Sequence, residues 1–535
     1  MTTAKPILVV NNISLPICAS SEEALSVARA RLKKQGIAAK QSDLFIFKRS
    51  IDARKRDNIQ FVYSVGYHSP GYDPTPRFKG VAGFGIIDIQ DPTVIYGENK
   101  QSLPFAVIGA GPAGLFSALT LAEAGFKVEV FERGGSISER VATVQRFIST
   151  RVLDEDTNIQ FGAGGAGTFS DGKLVTRLND PLSHYILRRF VEFGAPEEIL
   201  TLAKPHIGTD ILSDVVNNMV ERLIELGSSV HFNRRIDDFR FSANKVTAVI
   251  SGGVEHPCEA VILAIGHSAR DTYIKLLEKD LDIDCKDFSV GLRIEHSRRM
   301  INESLYGDSA ELLPAAEYNL SWNTKQRGVY TFCMCPGGEV VAATSETGGV
   351  VVNGMSKHSR AGDNSNSAVC CSVFKGDYGN SPIKAIEFQR EIERRAYLAG
   401  GSDYSAPIIT VGDFLSDKCS TLPSRIQPTY MAGGGVKLAH PSLYLPDFCV
   451  SGIKNAISAF DKRISGFASA DAVLTGPETR TSSPLRILRS GDTRASLKYF
   501  NLYPCGEGAG YAGGITSAAI DGVKCALSLI KSFKP

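Results

Sequence analysis

A glycine-rich turn between a predicted strand and a predicted helix has the spacing of a dinucleotide-binding site. The strand covers residues 105–108 and the helix covers 113–124. Glycines in such a turn allow a tight bend, close approach of the backbone to a pyrophosphate, and close packing of helix on strand, while the helix N-terminus favours the phosphate charge. The turn consists of Gly109, Ala110, Gly111, Pro112, Ala113 and Gly114.

An acidic residue ends the next predicted strand at the distance that such a site requires. The strand 127–131 leads into Glu132, eighteen residues after Gly114, and Arg133 follows it. A carboxylate at this position can accept hydrogen bonds from ribose hydroxyls. A purely structural turn does not explain an acid at this distance, so we predict that a dinucleotide binds here.

A second glycine-rich segment, 162–167, has the same G-x-G-x-x-G pattern without its context. The residues after it, 168–172, carry no helix-start signal, and no acid-tipped strand follows. Four glycines in six residues still bring the backbone close to a neighbour, which fits either a ligand-lining loop or a plain tight turn. We predict that the loop lines the cofactor through Gly164, Gly165, Gly167 and Thr168.

The third such segment, 508–513, follows an apparent strand at 499–503 and precedes a predicted helix at 515–530. The sequence ends at Pro535, so we expect no second strand and acid after this loop. We predict instead a helix N-terminus that faces an electron-rich group of a bound molecule. The residues assigned to this end of the site are Gly506, Glu507, Gly513, Gly514 and Ile515.

Three basic residues near the loops are candidates for binding an anion or a carboxylate in catalysis. Lys173 follows the second loop, and Arg480 and Arg486 lie shortly before the third. Guanidinium groups bind carboxylates through paired hydrogen bonds. An internal ion pair explains the two arginines equally well. His267, next to Gly266, fits either a cofactor-lining position or an ordinary polar turn.

Two cysteines, Cys333 and Cys335, stand two residues apart in a predicted strand. Side chains at this spacing face the same side, but their Cα atoms are close to 7 Å apart, which strains a disulfide. We therefore predict buried thiols and keep a redox couple as the alternative. The nine histidines show no metal-binding spacing, and we predict no metal site.

These candidates need several elements to position them, and 535 residues suffice for two or three domains. We predict an α/β fold in which a Rossmann-like dinucleotide-binding domain holds an inserted mixed α+β substrate domain and follows a small N-terminal α+β domain. The boundaries are 1–98 for the N-terminal domain with a linker at 92–104, 99–272 and 496–535 for the two parts of the dinucleotide-binding domain, and 273–495 for the substrate domain.

Charge and composition exclude several classes of protein. A formal net charge of +2 is too balanced for electrostatic binding to nucleic acid. The basic triplet 54–56, flanked by acids, favours a solvated hairpin end over an RNA site. The uncharged stretch 105–122 is long enough to span a membrane, but its glycines and proline favour strand, turn and helix. Eleven cysteines without a paired pattern, and the lack of a signal-peptide pattern, predict a cytoplasmic protein.

Together these segments resemble the flavoproteins with a glutathione-reductase-type FAD fold. The resemblance rests on residues 107–114, 132–135, 264–266 and 505–507. It implies that FAD is the cofactor, with the first loop at the pyrophosphate and Glu132 at the adenosine ribose. It also implies that the terminal helix points at the flavin pyrimidine and that Glu507, where the superfamily has an aspartate, meets the ribityl chain. Gly266 is included among the cofactor-binding residues.

A narrower resemblance covers nearly the whole chain, from about residue 45 to 530. The segments 160–173, 332–338, 478–484 and 506–514 are similar to the bacterial group of uncharacterised FAD-dependent dehydrogenases, which is related to aminoacetone-oxidase-like flavoproteins. This resemblance implies the fold and the cofactor. It does not supply a substrate.

The sequence therefore predicts an FAD-dependent oxidoreductase that transfers a hydride between the flavin and a small molecule. With one complete nucleotide fingerprint, NAD(P)H is expected only as a transient reductant at the flavin face, and the substrate itself is the other possible donor. Two alternatives stay open: a flavoprotein that modifies RNA, and a non-catalytic FAD-binding sensor. The oligomeric state is not predicted.

Overall fold

A small α+β unit forms the N-terminal part of the chain in the computed structural model, which describes residues 6–68, 72–176, 180–324, 326–432 and 435–535. Its antiparallel sheet has the strand order β2-β3-β1-β4, and helix α1 covers one face with apolar side chains. Ser20 caps α1 in a capping box with Glu23. The elements are β1 (Ile7–Pro16), α1 (Ser21–Lys34), β2 (Leu44–Asp52), β3 (Gln60–Tyr67), α2 (Thr75–Phe78) and β4 (Phe84–Ile87).

This unit docks on the rest of the chain through backbone hydrogen bonds. The N–H of Arg49 donates to Thr201 O at 2.6 Å, and the N–H of Ala203 donates to Arg49 O at 2.9 Å. The basic triplet predicted at a hairpin end lies between β2 and β3, where Arg54 pairs with Asp52 at 2.5 Å.

A five-stranded parallel sheet, in the order β24-β12-β6-β7-β8, forms the next unit. Strand β6 is buried throughout and purely apolar, as a central parallel strand with helices over the sheet requires. The elements are β5 (Asn99–Lys100), β6 (Phe105–Ile108), α3 (Pro112–Glu123), β7 (Val128–Phe131), α4 (Ile137–Thr150), α5 (Ser183–Glu192), α6 (Thr209–Glu225), β8 (Ser229–His231), β9 (Asp238–Ser242), β10 (Lys245–Ser251), β11 (Val254–Pro257), β12 (Ala260–Leu263) and α7 (Arg270–Glu278).

The stretch 105–122 that resembles a membrane span is β6, the glycine turn and most of α3. Within the described residues, no helix combines the length and the apolar character needed to cross a bilayer.

A seven-stranded mixed sheet, in the order β15-β16-β19-β14-β22-β20-β21, dominates the segment that follows α7. Strands β14 and β19 pair over ten residues at its centre. The elements are β13 (Ile283–Cys285), β14 (Phe288–Ser297), α8 (Arg298–Tyr306), β15 (Ser321–Asn323), β16 (Gly328–Cys335), β17 (Glu339–Ala342), β18 (Val352–Met355), β19 (Asn364–Val373), α9 (Lys375–Tyr378), α10 (Pro382–Ala399), β20 (Ala406–Thr410), α11 (Val411–Leu415), β21 (Val436–Leu438), α12 (Asp447–Asp461), β22 (Val473–Glu478) and β23 (Leu485–Ile487).

The C-terminal segment returns to the parallel sheet. Its elements are β24 (Leu502–Pro504), α13 (Ile515–Ile530) and β25 (Phe533–Lys534). Strand β24 extends the sheet beside β12, and α13 packs against α3. The fold class predicted from the sequence, a Rossmann-like α/β domain with mixed α+β additions, is confirmed; the domain boundaries stay predictions.

Two local predictions were wrong. The strand expected at 499–503 is shorter and later, because the Ser496 hydroxyl accepts a hydrogen bond from the N–H of Tyr499 and holds a turn there. The expected linker 92–104 is bound along the C-terminus: β5 pairs with β25, and the N–H of Gly97 donates to Ile530 O at 3.0 Å.

Candidate functional site

One large cavity lies where the parallel sheet meets the mixed sheet. Its volume is ≈ 1310 Å³, above the roughly 300–1,000 Å³ of ordinary small-molecule pockets. The carboxyl ends of β6, β7 and β12 and the residue after β24 open into it, which is where open α/β sheets bind ligands. Strand β16 and the end of β22 form the opposite wall.

Most of the residues predicted for the site line this cavity. They are Gly109, Gly111, Pro112, Ala113, Glu132, Arg133, Gly165, Gly167, Lys173, Gly266, Arg480, Glu507, Gly513, Gly514 and Ile515. The predicted residues outside its lining are Ala110, Gly114, Gly164, Thr168, Arg486 and Gly506.

The Glu132 carboxylate joins the first two glycine loops. Its Oε2 accepts a hydrogen bond from the N–H of Ala110 at 2.8 Å, and its Oε1 accepts from the N–H groups of Gly134 at 3.0 Å and Gly162 at 2.9 Å. A carboxylate has about four acceptor positions, so one remains for a ligand hydroxyl. Glu132 is therefore both a ligand-facing acceptor and the tie between two loops.

Gly114 has the packing role expected of the third glycine rather than a cavity-lining one. A Cβ on Gly114 would lie 1.8 Å from Gly109 O, which no side chain can occupy. The close approach of α3 to β6 depends on this glycine.

The second loop is held by an arginine that sequence reasoning missed. The guanidinium of Arg140, fully buried, donates to the carbonyl oxygens of Asn158, Ile159, Ala163 and Gly165 at 2.7–2.9 Å. Burial lowers the pKa of Arg140 to about 9, against the opposing charge of Glu132. The only signal was a capping box that places Arg140 in the first turn of an amphipathic helix.

The third loop brings the N-terminus of α13 to the cavity. A Cβ on Gly513 or Gly514 would meet no atom within 4 Å, so the backbone here faces open cavity. Asp521 in α13 accepts the N–H of Gly506 at 2.9 Å and fixes the turn that presents Glu507. Asp521 is a second positioning residue that the sequence analysis did not identify.

The Glu507 side chain lines the cavity, and no residue that the structure describes donates a hydrogen bond to its carboxylate. Burial raises the pKa of its carboxyl group to about 7, with the charge of Lys286 opposing the rise. A partly buried carboxyl group without a protein donor needs one from a ligand or from water.

The two arginine candidates have different surroundings. Arg480 forms an internal ion pair, which was the alternative to an anion-binding role in the sequence analysis. Its Nη2 lies 3.0 Å from Glu393 Oε2, and the residue also lines the cavity. The prediction that Arg486 binds an anion in the cavity was wrong. Its side chain is exposed, donates to Gly510 O at 3.1 Å and lies over the Tyr511 ring. Alternation along β23 turns Arg486 away from the core, because its neighbours Leu485 and Ile487 face inward.

Lys173 lines the cavity next to strand β16. Its ammonium group donates to Met334 O and lies 3.8 Å from Asp171 and 4.0 Å from Glu317. Arg360 pairs with the same two acids behind it. The two acids and the Met334 carbonyl oxygen surround the Lys173 ammonium group and hold it in place.

His267 also lines the cavity, beside Gly266. Burial, together with the charges of Arg480 and Arg270, lowers its pKa to about 4. The imidazole is therefore neutral at physiological pH, and its Nδ1 lies 3.0 Å from the Ser268 hydroxyl.

Cys333 lines the cavity, while Cys335 is fully buried behind it. The expectation of two buried thiols therefore holds for only one of them. It assumed a regular strand, whereas the pairing of β16 with β19 shifts register between Phe332 and Cys335.

A buried cluster next to the third loop contains three groups that can ligate metals: Cys505, Asp521 and Cys525. The Arg489 guanidinium lies 2.7 and 2.9 Å from the Asp521 oxygens and 3.4 Å from Cys525 Sγ. An arginine thus supplies the positive charge in this cluster.

Family models match three parts of the chain. A model described as "FAD-dependent protein, C-terminal domain-like" matches residues 287–481, and one for an NAD(P)-binding Rossmann-like domain matches residues 107–178. A domain of unknown function matches residues 8–68.

A full-length relative and several solved structures are similar to this chain. An uncharacterised protein of Clostridium beijerinckii is 42% identical over 539 residues, covering 98% of each chain. The structure of glycine oxidase from Bacillus cereus is 12% identical, covers 81% of this chain and 98% of that one, and has a TM-score of 0.35. The structure of CtdE in complex with FAD is 13% identical, covers 80% and 83%, and has a TM-score of 0.32.

Proposed function

Since this chain belongs to an uncharacterised family of FAD-dependent flavoproteins and is an FAD-dependent oxidoreductase, we propose that its cavity transfers a hydride between bound FAD and a small polar molecule. The observation that carries this proposal is the meeting of three glycine loops around one cavity, with the Glu132 carboxylate at one end and the α13 N-terminus at the other.

The residues present fit an extended FAD. The cavity exceeds the size of an ordinary ligand pocket, so it has room for a dinucleotide and a substrate together. The Glu507 carboxylate has no hydrogen-bond donor among the described residues, and the backbone at Gly513 and Gly514 faces open space. These are the features expected where a ribityl chain and a flavin ring meet the protein.

We assign a binding role to each part of the site as follows. The N-terminus of α3 faces the pyrophosphate, Glu132 accepts from the adenosine ribose, and Glu507 meets the ribityl hydroxyls. The N-terminus of α13 faces the pyrimidine edge of the ring, where it favours negative charge by about 0.3–1 kcal/mol and more if buried. FAD, when bound, supplies the hydride chemistry, and the protein supplies position and electrostatics.

The wall opposite the glycine loops supports a polar substrate. Uncharged polar side chains of β15, β16, β18 and the segment before β15 line it, and Lys173 contributes a positive charge beside the acids Asp171 and Glu317. We propose that this wall orients a small polar metabolite and that reducing equivalents come from the substrate or from NAD(P)H bound transiently at the flavin face. The side chains in question are Asn319, Ser321, Asn323, Thr331 and Asn353.

We also propose a cytoplasmic location. All eleven cysteines are described, and all are free thiols, which fits a reducing compartment.

The test is to purify the protein, identify the bound cofactor by mass after denaturation, and screen metabolites anaerobically for bleaching of the flavin. Glu132→Ala should lower the affinity for FAD about ten- to a hundred-fold, because hydrogen bonds to a charged acceptor contribute roughly 1.5–3 kcal/mol. Glu129→Ala, on the same strand but paired with His231, is the matched control. Protein that binds no flavin, or a Glu132→Ala variant with wild-type affinity, would contradict the proposal.

A further inference from the structure

The Cys333–Cys335 segment forms part of the cavity wall that the mixed sheet contributes. The pairing of β16 with β19 is interrupted between Phe332 and Cys335, and Cys333 has a φ of 44°. Left-handed backbone is uncommon for a residue other than glycine, and bulges next to active sites commonly redirect a side chain. Here the bulge places Cys333 at the cavity surface and leaves Cys335 buried behind it.

Both cysteines contact a buried arginine, and a hydrogen bond also joins them to each other. The Cys335 thiol donates to the Cys333 carbonyl oxygen at 3.4 Å. Arg293 donates to the Cys333 carbonyl at 3.1 Å, and its Nη1 lies 3.9 Å from Cys335 Sγ. Glu478 fixes this guanidinium through an ion pair at 2.6 Å, so the arginine stays beside the sulfur pair.

The surroundings shift the pKa values of the two thiols in opposite directions. The neighbouring Cys335 thiol, with the charges of Arg293 and Lys173, lowers the pKa of Cys333 to about 6. The neighbouring Cys333 side chain and burial raise the pKa of Cys335 well above its ordinary value. The thiolate, which is the nucleophilic form, is therefore favoured at the cysteine on the cavity surface.

The sulfur pair also lies within electrostatic range of the flavin end of the cavity. Cys333 and Glu507 both line it, and the negative charge of Cys333 contributes to the raised pKa of Glu507. Since Glu507 precedes the loop at the α13 N-terminus, the pair faces the region assigned above to the flavin ring.

We infer that Cys333 and Cys335 are a redox-active pair that exchanges two electrons with the flavin, an inference that rests on the proposed function. In the oxidising direction, the Cys333 thiolate forms an S–S bond with Cys335 while the S–H bond of Cys335 breaks. Two electrons and that proton pass to oxidised FAD, which becomes the reduced anion FADH⁻. In the reverse direction the reduced flavin reopens the disulfide, so the site serves substrates of the thiol or disulfide class.

A second sulfur pair provides a matched control. Cys371 and Cys449 are also close enough to shift each other's pKa, but both are buried and neither lines the cavity. The variants to compare are therefore Cys335→Ser and Cys333→Ser with Cys449→Ser, each checked for folding by circular dichroism and for flavin content.

The first experiment counts electrons in the FAD-loaded protein. Under anaerobic conditions, air-oxidised wild type and Cys449→Ser should take up two more electrons per flavin than Cys335→Ser, because a disulfide is a two-electron couple. Equal uptake by wild type and a folded, flavin-loaded Cys335→Ser would overturn the inference while leaving FAD binding intact. Failure of the proposed function would instead appear as protein that binds no flavin.

The second experiment does not depend on turnover. Samples taken before and after reduction are denatured and alkylated with iodoacetamide, and the peptide containing residues 333–335 is weighed by mass spectrometry. In the air-oxidised protein this peptide should carry no label, and after reduction it should carry two; exposed Cys18 should be labelled in both samples. Alkylation of both cysteines in the air-oxidised protein would contradict the inference.

Discussion

The Arg270 guanidinium and the Glu393 carboxylate form a buried two-pronged ion pair, with Nη1–Oε2 at 2.8 Å and Nη2–Oε1 at 2.7 Å. Arg270 begins α7, directly after the parallel sheet, and Glu393 lies in α10 beside the mixed sheet. Arg480 binds the same carboxylate. One acid therefore connects the two sheets beside the cavity and orients Arg480 at its wall.

Replacing Glu393 should destabilise the whole protein. Glu393→Ala removes the carboxylate that two buried guanidinium groups share and leaves Arg270 with only Glu346 as an acidic partner. Breaking a buried ion pair costs roughly 3–5 kcal/mol. Urea unfolding measures this loss. Glu391→Ala, in the same helix, removes an exposed acid that pairs with Arg394 and Arg395, and it should change the free energy of unfolding by no more than about 1 kcal/mol. Equal effects of the two variants would show that the buried pair has no special role.

Replacing Arg140 should loosen the second glycine loop and release flavin. Arg140→Lys keeps a positive charge but loses the planar group that reaches four carbonyl oxygens, and each buried acceptor left unsatisfied costs about 1–3 kcal/mol. We expect at least a ten-fold lower affinity for FAD by fluorescence titration. Arg146→Lys, on the exposed side of the same helix, is the control. If Arg140→Lys binds FAD with unchanged affinity, the second glycine loop is not part of the binding site.

Gly513→Val should alter the flavin without unfolding the protein. The new Cβ meets no protein atom within 4 Å, so the side chain points into the cavity space assigned to the flavin ring. We expect a shifted flavin absorption spectrum and weaker, not abolished, binding. Gly491→Val adds the same side chain at an exposed position that is also free of contacts and should behave as wild type. A wild-type spectrum and affinity in Gly513→Val would contradict the proposed position of the ring.

The stability of FAD-free protein should fall as the pH rises from about 4.5 to 7, in part because of Glu507. Burial raises the pKa of this group from 4.5 to about 7. Between these values the folded state holds a proton that the unfolded state has released, so raising the pH favours unfolding by at most about 1.4 kcal/mol per pH unit.

Glu507→Gln isolates this contribution, because the variant cannot titrate. Urea unfolding midpoints of wild type and variant at pH 5, 6, 7 and 8 should diverge through the lower part of this range and differ by a constant amount above pH 7. Parallel curves across the whole range would mean that Glu507 has an ordinary pKa in the folded protein.

Local pattern was sufficient for the parallel-sheet half of the site. The strand, turn and helix around Gly109 and the acid at Glu132 are contiguous in sequence, and their roles follow from backbone geometry that one short segment defines. For the same reason Gly114 could be assigned to packing, and Gly513 and Gly514 to a helix N-terminus, before any fold was known.

Only the tertiary structure could identify the residues that hold these loops together. Arg140 contacts carbonyl groups up to 25 residues away, and Glu393 joins residues 123 and 87 positions away, so no local pattern marks either one. The directions in which the Arg486 and Cys333 side chains point could not be predicted from the sequence either. Whether each faces the cavity depends on strand alternation and on a bulge, and a single-residue change of register turns a side chain to the opposite face. Sequence thus determined which segments line the cavity, and the packing of two distant sheets decided which side chains reach it.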